Sequence, residues 1–275
     1  MTNASSATLR TGNESLFVQE TGAGDPVLML SGLGYASWCW EEVMSGLSND
    51  YRVIALDNRG AGRSAKPPGP YSIEMFADDA AAALDALKID AAHVVGNSMG
   101  GYIALVLAAR HPAKVRSLVL SNTTHGGEGA LNIPKATSEA WEKASSLSPR
   151  EFARHTMAYS YPPGWAEANP ERFEAIFQRR VEFPTPRDCW HAQFAACNHF
   201  IEHGLDVSAI EQPALVIHGT EDRIIPYENG PRLVRALPHG ELRTLEGVGH
   251  IPLLEDPPLF TAIVRQFFAA REGSK

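Results

Sequence analysis

Short apolar runs typical of buried strands recur along the first 120 residues of the chain. They fall at residues 14–20, 26–30, 52–56, 92–95 and 115–120. Stretches with helical character lie between them, at about 38–47, 73–88 and 102–110. Strands that are apolar nearly throughout and alternate with helices are typical of a parallel sheet covered on both faces. The pattern therefore predicts an α/β fold.

The alternation stops at about residue 123 and resumes at about residue 209. The intervening segment has no apolar strand, and it contains many prolines and helical stretches rich in aromatic residues. Strands then return at 214–217 and 241–245, with helices at about 228–237 and 257–270. We expect residues 1–122 and 209–275 to form one α/β core, interrupted by a helical cap over residues 123–208.

Composition excludes several classes of partner. The 275 residues are 44% hydrophobic, enough for a sizeable core, and their net charge of −8 disfavours nucleic acid and anionic membranes. The three cysteines form no CxxC motif, which favours reduced thiols. Residues 1–15 lack the features of a signal peptide, and no apolar run approaches the ~18 residues of a membrane span. A soluble, cytoplasmic protein is expected.

The most informative segment is residues 96–101, which read GNSMGG and join a predicted strand to a predicted helix. Glycines two residues to either side of Ser98 fit a sharp, strained turn that lifts the hydroxyl clear of the sheet. The start of the following helix then favours developing negative charge beside that hydroxyl. A G-x-S-x-G match alone is a weak signal, but its position between strand and helix makes it specific. Ser98 is the predicted nucleophile.

A serine nucleophile needs an adjacent base, and the base needs an orienting acid. Among ten histidines, His250 stands out because it follows a predicted strand and precedes the last helix. Asp222 leaves another strand at the same predicted edge of the sheet, where folds of this kind build their sites. Asp222 is the expected acid, and Glu221 is the near alternative.

These residues resemble the α/β-hydrolase family over nearly the whole chain. The order Ser98, Asp222, His250 matches the family's order of nucleophile, acid and base. The resemblance implies an α/β-hydrolase fold, with an eight-stranded, mostly parallel sheet, helices on both faces and an inserted helical cap. It also implies a serine enzyme that needs no cofactor and no metal.

In that family an oxyanion hole is formed by two backbone N–H groups. The resemblance assigns them to Met99, directly after the nucleophile, and to Leu33, in the loop of residues 31–34. The family usually has histidine where this chain has Ser31, so the conformation of that loop is less tightly specified. Removing one such donor typically costs about 3–4 kcal/mol in the transition state.

Other candidate groups have structural interpretations. Cysteines and histidines late in the cap segment match no familiar metal-ligand spacing and are expected to pack between helices, namely Cys189, His191, Cys197, His199 and His203. Asp57 is expected to cap a loop. His125 follows the sheet edge, where either a pocket-lining or a structural role is open.

The expected activity is hydrolysis of carboxylic esters of small to medium, largely apolar substrates through an acyl-enzyme. Enol-lactonases and carbon–carbon hydrolases of meta-cleavage products also resemble this chain, and a small-ligand receptor is the non-enzyme alternative. Carbon–carbon cleavage needs a cation for a dienoate carboxylate, and the candidates are the cap arginines Arg154, Arg172, Arg179, Arg180 and Arg187. Arg179 and Arg180 can face solvent as readily as the pocket, which favours ester chemistry.

Overall fold

A computed structural model describes residues 5–11 and 14–272. Its eight strands are β1 (Ser5–Thr11), β2 (Glu14–Thr21), β3 (Asp25–Leu30), β4 (Tyr51–Leu56), β5 (Ala92–Asn97), β6 (Val115–Ser121), β7 (Ala214–Gly219) and β8 (Gly240–Leu245). They form one sheet in the order β1-β2-β4-β3-β5-β6-β7-β8. β2 is antiparallel to both β1 and β4, and the other neighbours are parallel. The expected eight-stranded, mostly parallel sheet is confirmed.

Helices cover both faces of this sheet. Outside the cap segment they are α1 (Glu41–Leu47), α2 (Ile73–Ala86), α3 (Met99–Arg110), α9 (Asn229–Ala236), α10 (Pro252–Glu255) and α11 (Pro257–Glu272). Adjacent strand residues point to opposite faces, so Leu28 joins the core beneath α2 and α3, whereas Met29 joins the core beneath α1 and α11. Both side chains are fully buried, as two-sided coverage requires.

Between β6 and β7, where every residue is described, the chain forms helices and no strand. They are α4 (Lys135–Ala144), α5 (Pro149–Ala158), α6 (Trp165–Ala168), α7 (Pro170–Glu182) and α8 (Arg187–His203). The division into a core and a cap over residues 123–208 stays a prediction. Nowhere in the described ranges does a helix combine the length and apolar character that crossing a membrane requires.

The strand order places the candidate site. From β3 the chain adds β4 on one side of the sheet and later returns to add β5 on the other side. Open α/β sheets bind ligands at the carboxyl ends of strands where the order reverses in this way. The loop after β3 and the turn after β5 meet at that edge.

Candidate active site

Ser98 lies in the sharp turn between β5 and α3. Its φ of 56° and ψ of −120° are unusual for a residue with a side chain. A Cβ on Gly96 would lie 2.2 Å from the Gly100 carbonyl oxygen, and one on Gly100 would lie 2.0 Å from that of Leu30. Both positions therefore require glycine, and the strained turn holds Ser98 clear of the strand.

The loop of residues 31–34 runs beside the serine. A Cβ on Gly32 would lie 3.2 Å from the Ser98 Cβ, so the loop backbone passes close to the turn. Ser31 is fully buried, and its hydroxyl accepts a 3.1 Å hydrogen bond from the Trp40 indole. The Asn58 amide donates to the Ser31 carbonyl at 3.0 Å. Serine in place of the family's usual histidine is thus anchored on both its side chain and its backbone.

The two residues predicted to form the oxyanion hole are Met99 and Leu33. Met99 is the first residue of α3, so its N–H has no acceptor within the helix. Leu33 lines the cavity that also contains Ser98. Met99 directly follows Ser98 and Leu33 lines the same cavity as Ser98, and the role of their N–H groups as an oxyanion hole stays a prediction.

Asp222 and His250 form a buried pair. The Asp222 Oδ2 lies 2.8 Å from the His250 Nδ1, while its Oδ1 accepts the backbone N–H groups of Ile224 and Ile225 at 2.8 and 3.0 Å. His218 lies behind the carboxylate, with its Nε2 3.5 Å from Oδ2 and 2.9 Å from the Ile225 carbonyl. Burial by itself would raise the pKa of Asp222, but His250 and His218 together hold it well below 3.8. The carboxylate is therefore ionised.

Sequence reasoning missed Asn122, which follows β6. Its amide donates to Asp222 Oδ2 at 2.8 Å and to the Gly249 carbonyl at 2.9 Å, tying the acid to the residue before His250. Its φ of 48° is in the left-handed region, where asparagine is tolerated better than most residues. An asparagine directly after a buried strand is the only signal that the sequence offered. The Ser160 backbone carbonyl accepts the backbone N–H of His250 at 2.8 Å, and no sequence signal pointed to Ser160.

Ser98 and His250 line one cavity, here called the site cavity. It contains about 620 Å³ of empty space, part of which is open to solvent. Helices α5, α7 and α8 contribute to its wall, and the surface is largely apolar. The aromatic side chains that line it are Tyr35, Tyr102, Trp141, Trp190 and Phe194.

The cap arginines have different environments. Arg179 bonds Glu41 and Glu182 at the surface, whereas Arg180 is only 7% exposed and lines the site cavity. Arg154 pairs with Glu174 at 2.6 Å, and Arg172 pairs with Glu42 at 3.0 Å. The sequence left the orientation of Arg180 open, and the structure turns it inward. The preference for ester over carbon–carbon chemistry therefore no longer follows from the arginines.

Of the remaining candidates, Cys197 lines the site cavity, whereas Asp57 and His125 do not. Asp57 caps a loop, accepting the N–H groups of Ser37 and Arg63 at 2.7 Å each. His125 does not line the site cavity; its Nδ1 lies 3.4 Å from Arg232 Nη1, and burial, with that cation, lowers its pKa to about 4. Among the described residues, no group of three or more His, Cys, Asp or Glu side chains is arranged to hold a metal ion.

Comparison with known proteins agrees with the fold. A family model for the alpha/beta hydrolase fold matches residues 25–257, and the chain belongs to that family of hydrolases. It is 32% identical to the 2-hydroxymuconate semialdehyde hydrolase of Pseudomonas sp. strain CF600, covering 94% of this chain and 91% of the relative.

Two solved structures extend the comparison. The enol-lactonase from Burkholderia xenovorans LB400 has a TM-score of 0.83 at 26% identity, covering 96% of this chain and 100% of that one. The esterase RhEst1 from Rhodococcus sp. ECU1013 has a TM-score of 0.82 at 28% identity, covering 98% of each chain. Proteins named for different substrates are thus similar to this one.

Proposed function

We propose that this protein hydrolyses carboxylic esters, open-chain or cyclic, through an acyl-enzyme on Ser98. One observation carries the proposal: the hydrogen-bonded pair Asp222–His250 and the strained turn of Ser98 open on the same cavity. The cavity's largely apolar wall suits a small to medium acyl or alcohol group. The similarity to an esterase and an enol-lactonase supports this chemistry.

Acylation follows from the protonation states that the geometry favours. The His250 Nδ1–H donates to the ionised Asp222, which leaves Nε2 unprotonated and able to accept a proton. As the Ser98 Oγ attacks the ester carbonyl, Nε2 takes the hydroxyl proton and becomes positively charged. Asp222 stabilises that charge, and the N–H groups of Met99 and Leu33 stabilise the oxyanion.

Collapse of the tetrahedral intermediate breaks the ester C–O bond and forms the acyl-serine. His250 returns its proton to the alkoxide, which leaves as the alcohol of an open-chain ester or stays on the acyl chain as the hydroxyl of an opened lactone. A water molecule then enters, loses a proton to His250 and attacks the acyl carbonyl. The second collapse breaks the bond to Ser98 and releases the carboxylic acid, and His250 returns the proton to the Ser98 Oγ.

The proposal is tested with alanine variants and a panel of 4-nitrophenyl esters and lactones. Ser98→Ala and His250→Ala should each lower kcat by roughly 10⁴-fold or more, and the double variant should lose little beyond either one, because the residues act as a unit. An organophosphorus inhibitor should leave its adduct, found by mass spectrometry, on Ser98. An adduct on another serine, or turnover by Ser98→Ala at the wild-type rate, contradicts the proposal.

Two neighbouring acidic residues, Asp222 and Glu221, provide a matched test of which one orients His250. Asp222→Asn should lower kcat strongly, though less than Ser98→Ala, because the imidazole loses its orienting charge. Glu221→Gln changes the adjacent, exposed carboxylate and should leave kcat close to the wild-type value. The reverse result would move the acid to Glu221.

Carbon–carbon hydrolysis is a second candidate, favoured by the position of Arg180. A cation in the site cavity can bind the carboxylate of a ring-fission dienoate, and the similar 2-hydroxymuconate semialdehyde hydrolase adds support. The deciding measurement is kcat/KM for such a dienoate and for the best ester at one pH. A dienoate value far above the ester value would replace ester hydrolysis as the main activity.

A further inference from the structure

Arg180 is a charged side chain buried beside the reacting groups. It is 7% exposed, and of the described side chains that line the site cavity it is the only one with a permanent charge. It also lies against the loop of residues 31–34, since a Cβ on Gly34 would be 3.1 Å from its Nη2. Arg180 and Ser98 thus line one cavity, and both lie beside this loop.

The guanidinium of Arg180 has no acidic partner. Within the described part of the chain, no carboxylate oxygen lies within 4 Å of it, whereas Arg179, one residue earlier on α7, contacts both Glu41 and Glu182. The Arg180 guanidinium lies over the aromatic face of Tyr35, 4.8 Å from the ring centroid. Burying a cation without a counter-charge costs free energy, and a cation–π contact offsets only part of that cost.

Hydrogen-bond donors lie next to this cation. The Tyr35 hydroxyl is buried and has no hydrogen-bond partner of good geometry among the described residues. Burial raises the pKa of Tyr35, with Arg180 and Ser160 opposing that rise, so the phenol stays protonated and able to donate. Ser160 also lines the cavity, whereas the Thr156 hydroxyl already donates to the Phe152 carbonyl at 3.0 Å. A guanidinium together with hydroxyl donors is the chemistry that binds a carboxylate.

A second opening, here called the arginine opening, lies beside Arg180. It shares Arg180 and Trp190 with the site cavity. Arg150 and Arg187 line it as well, and among the described residues around it none is acidic. An anion in this opening is therefore surrounded by positive charge, and Arg180 faces the site cavity as well.

We propose that the natural substrate is an ester carrying a carboxylate, which binds Arg180 where the arginine opening meets the site cavity. This inference rests on the proposed ester hydrolysis and names the substrate class of that site. Arg180 is here a specificity-determining residue, since it binds a part of the substrate that does not react. Binding there orients the ester carbonyl toward Ser98 and supplies the missing counter-charge.

A matched pair of esters tests the proposal. The 4-nitrophenyl monoester of glutarate carries a terminal carboxylate, and 4-nitrophenyl hexanoate carries an ethyl group in its place. After subtraction of uncatalysed hydrolysis, Arg180→Gln should lower kcat/KM for the glutarate ester by roughly tenfold to a hundredfold. The hexanoate value should change little, and KM should account for most of the loss.

Two further variants separate recognition from damage to the fold. Arg179→Gln removes the neighbouring surface charge and should leave the ratio of the two kcat/KM values unchanged. Arg180→Lys keeps the charge but not the planar fork, so it should restore part of the glutarate preference. The proposal is wrong, and Arg180 is structural, if Arg180→Gln lowers kcat/KM equally for both esters. The same conclusion follows if Arg180→Lys has the same kcat/KM values as Arg180→Gln.

Binding to an inactive variant keeps the two proposals distinguishable. In Ser98→Ala, binding of monomethyl glutarate should quench the fluorescence of Trp141 and Trp190, which line the cavity. Adding Arg180→Gln should raise the Kd for monomethyl glutarate by a factor similar to the loss of kcat/KM. If the wild type hydrolyses neither ester while this binding difference persists, ester hydrolysis fails and the anion site stands. If the Kd is unchanged by Arg180→Gln, the anion site fails.

Discussion

Glu255 is a carboxyl group whose ionisation is linked to the loop of His250. Both of its oxygens accept the Gly249 N–H, at 3.1 Å each. Burial raises its pKa from 4.5 to about 7, against the opposing backbone N–H groups of Gly249 and Ile251. The side chain therefore changes charge near neutral pH, directly beside the base of the proposed mechanism.

We expect Glu255 to make folding stability depend on pH. A carboxyl whose pKa is higher in the folded state contributes stability below pH 4.5 and loses it as the pH rises through about 7. Glu255→Gln lacks this dependence, so between pH 5 and 8 its free energy of unfolding should rise relative to wild type by about 2 kcal/mol. Urea unfolding of both proteins at the two pH values measures the difference.

The contributions of the other titratable groups to the free energy of unfolding are the same in wild type and in Glu255→Gln, so they cancel in that comparison. Asp222 has a lowered pKa, so its contribution is lost only as the pH falls below 3.8, outside this range. A constant difference between wild type and Glu255→Gln would show that Glu255 titrates normally. Parallel kcat measurements will show whether its charge also affects His250.

The site residues that sequence analysis proposed are those next to strand ends. Ser98, Asp222 and His250 lie in short motifs whose local chemistry is readable, and the structure brings the last two into contact. The sequence did not predict the roles of Asn122 and Arg180. The role of Asn122 depends on a partner far along the chain, and that of Arg180 depends on which way its helix faces. Tertiary packing, rather than local pattern, decides such orientations.

At the scale of elements, the interior strands were predicted and one edge strand was not. The strands at 14–20, 26–30 and 92–95 agree with β2, β3 and β5 within about two residues. β1 has no apolar run, because it is a largely exposed edge strand that pairs with β2 alone. β1 is a strand because its backbone pairs with β2, and such pairing gives no hydrophobic pattern in the sequence.

Helix α8 supplies aromatic side chains to the site cavity. Phe194 and Trp190 stack with ring centroids 5.1 Å apart, and Trp141 of α4 meets both. We expect Phe194→Ala to enlarge the cavity and to raise kcat/KM for long acyl chains relative to short ones by severalfold, up to about 200-fold. A series of 4-nitrophenyl esters from acetate to decanoate measures this ranking.

Trp165 provides the control for that substitution. It lies in the same segment and stacks on Tyr161 at 4.1 Å, but it does not line the site cavity. Trp165→Ala should lower Tm without changing the order of the esters. Equal changes for every ester in Phe194→Ala would show that α8 does not set substrate preference.

Across the whole molecule, the two ends of the strands have different roles. Ser98 and Asp222 follow the carboxyl ends of β5 and β7, while Tyr51 and His93 lie near the amino ends of β4 and β5. Phe268 of α11 packs on both, with ring centroids 5.4 Å from Tyr51 and 4.4 Å from His93. This end of the sheet is built for packing, remote from the reacting groups.

Phe268→Ala should therefore destabilise the protein without altering its chemistry. The side chain is fully buried, so its removal should lower the free energy of unfolding by about 3–5 kcal/mol. At temperatures well below Tm, kcat/KM should stay at the wild-type value. Leu259→Ala, on the same helix but 42% exposed, should change neither quantity appreciably. A fall in kcat/KM for Phe268→Ala in fully folded protein would mean that the two ends are coupled.

The positive φ of Ser98 has a consequence for laboratory evolution of this protein. The backbone at that position suits glycine, so a serine there is held in a conformation that costs about 1–3 kcal/mol. A library sorted only for heat resistance or expression would gain by discarding the residue on which turnover is proposed to depend. Thermostabilisation campaigns should therefore fix position 98 beforehand or include an activity screen in every round.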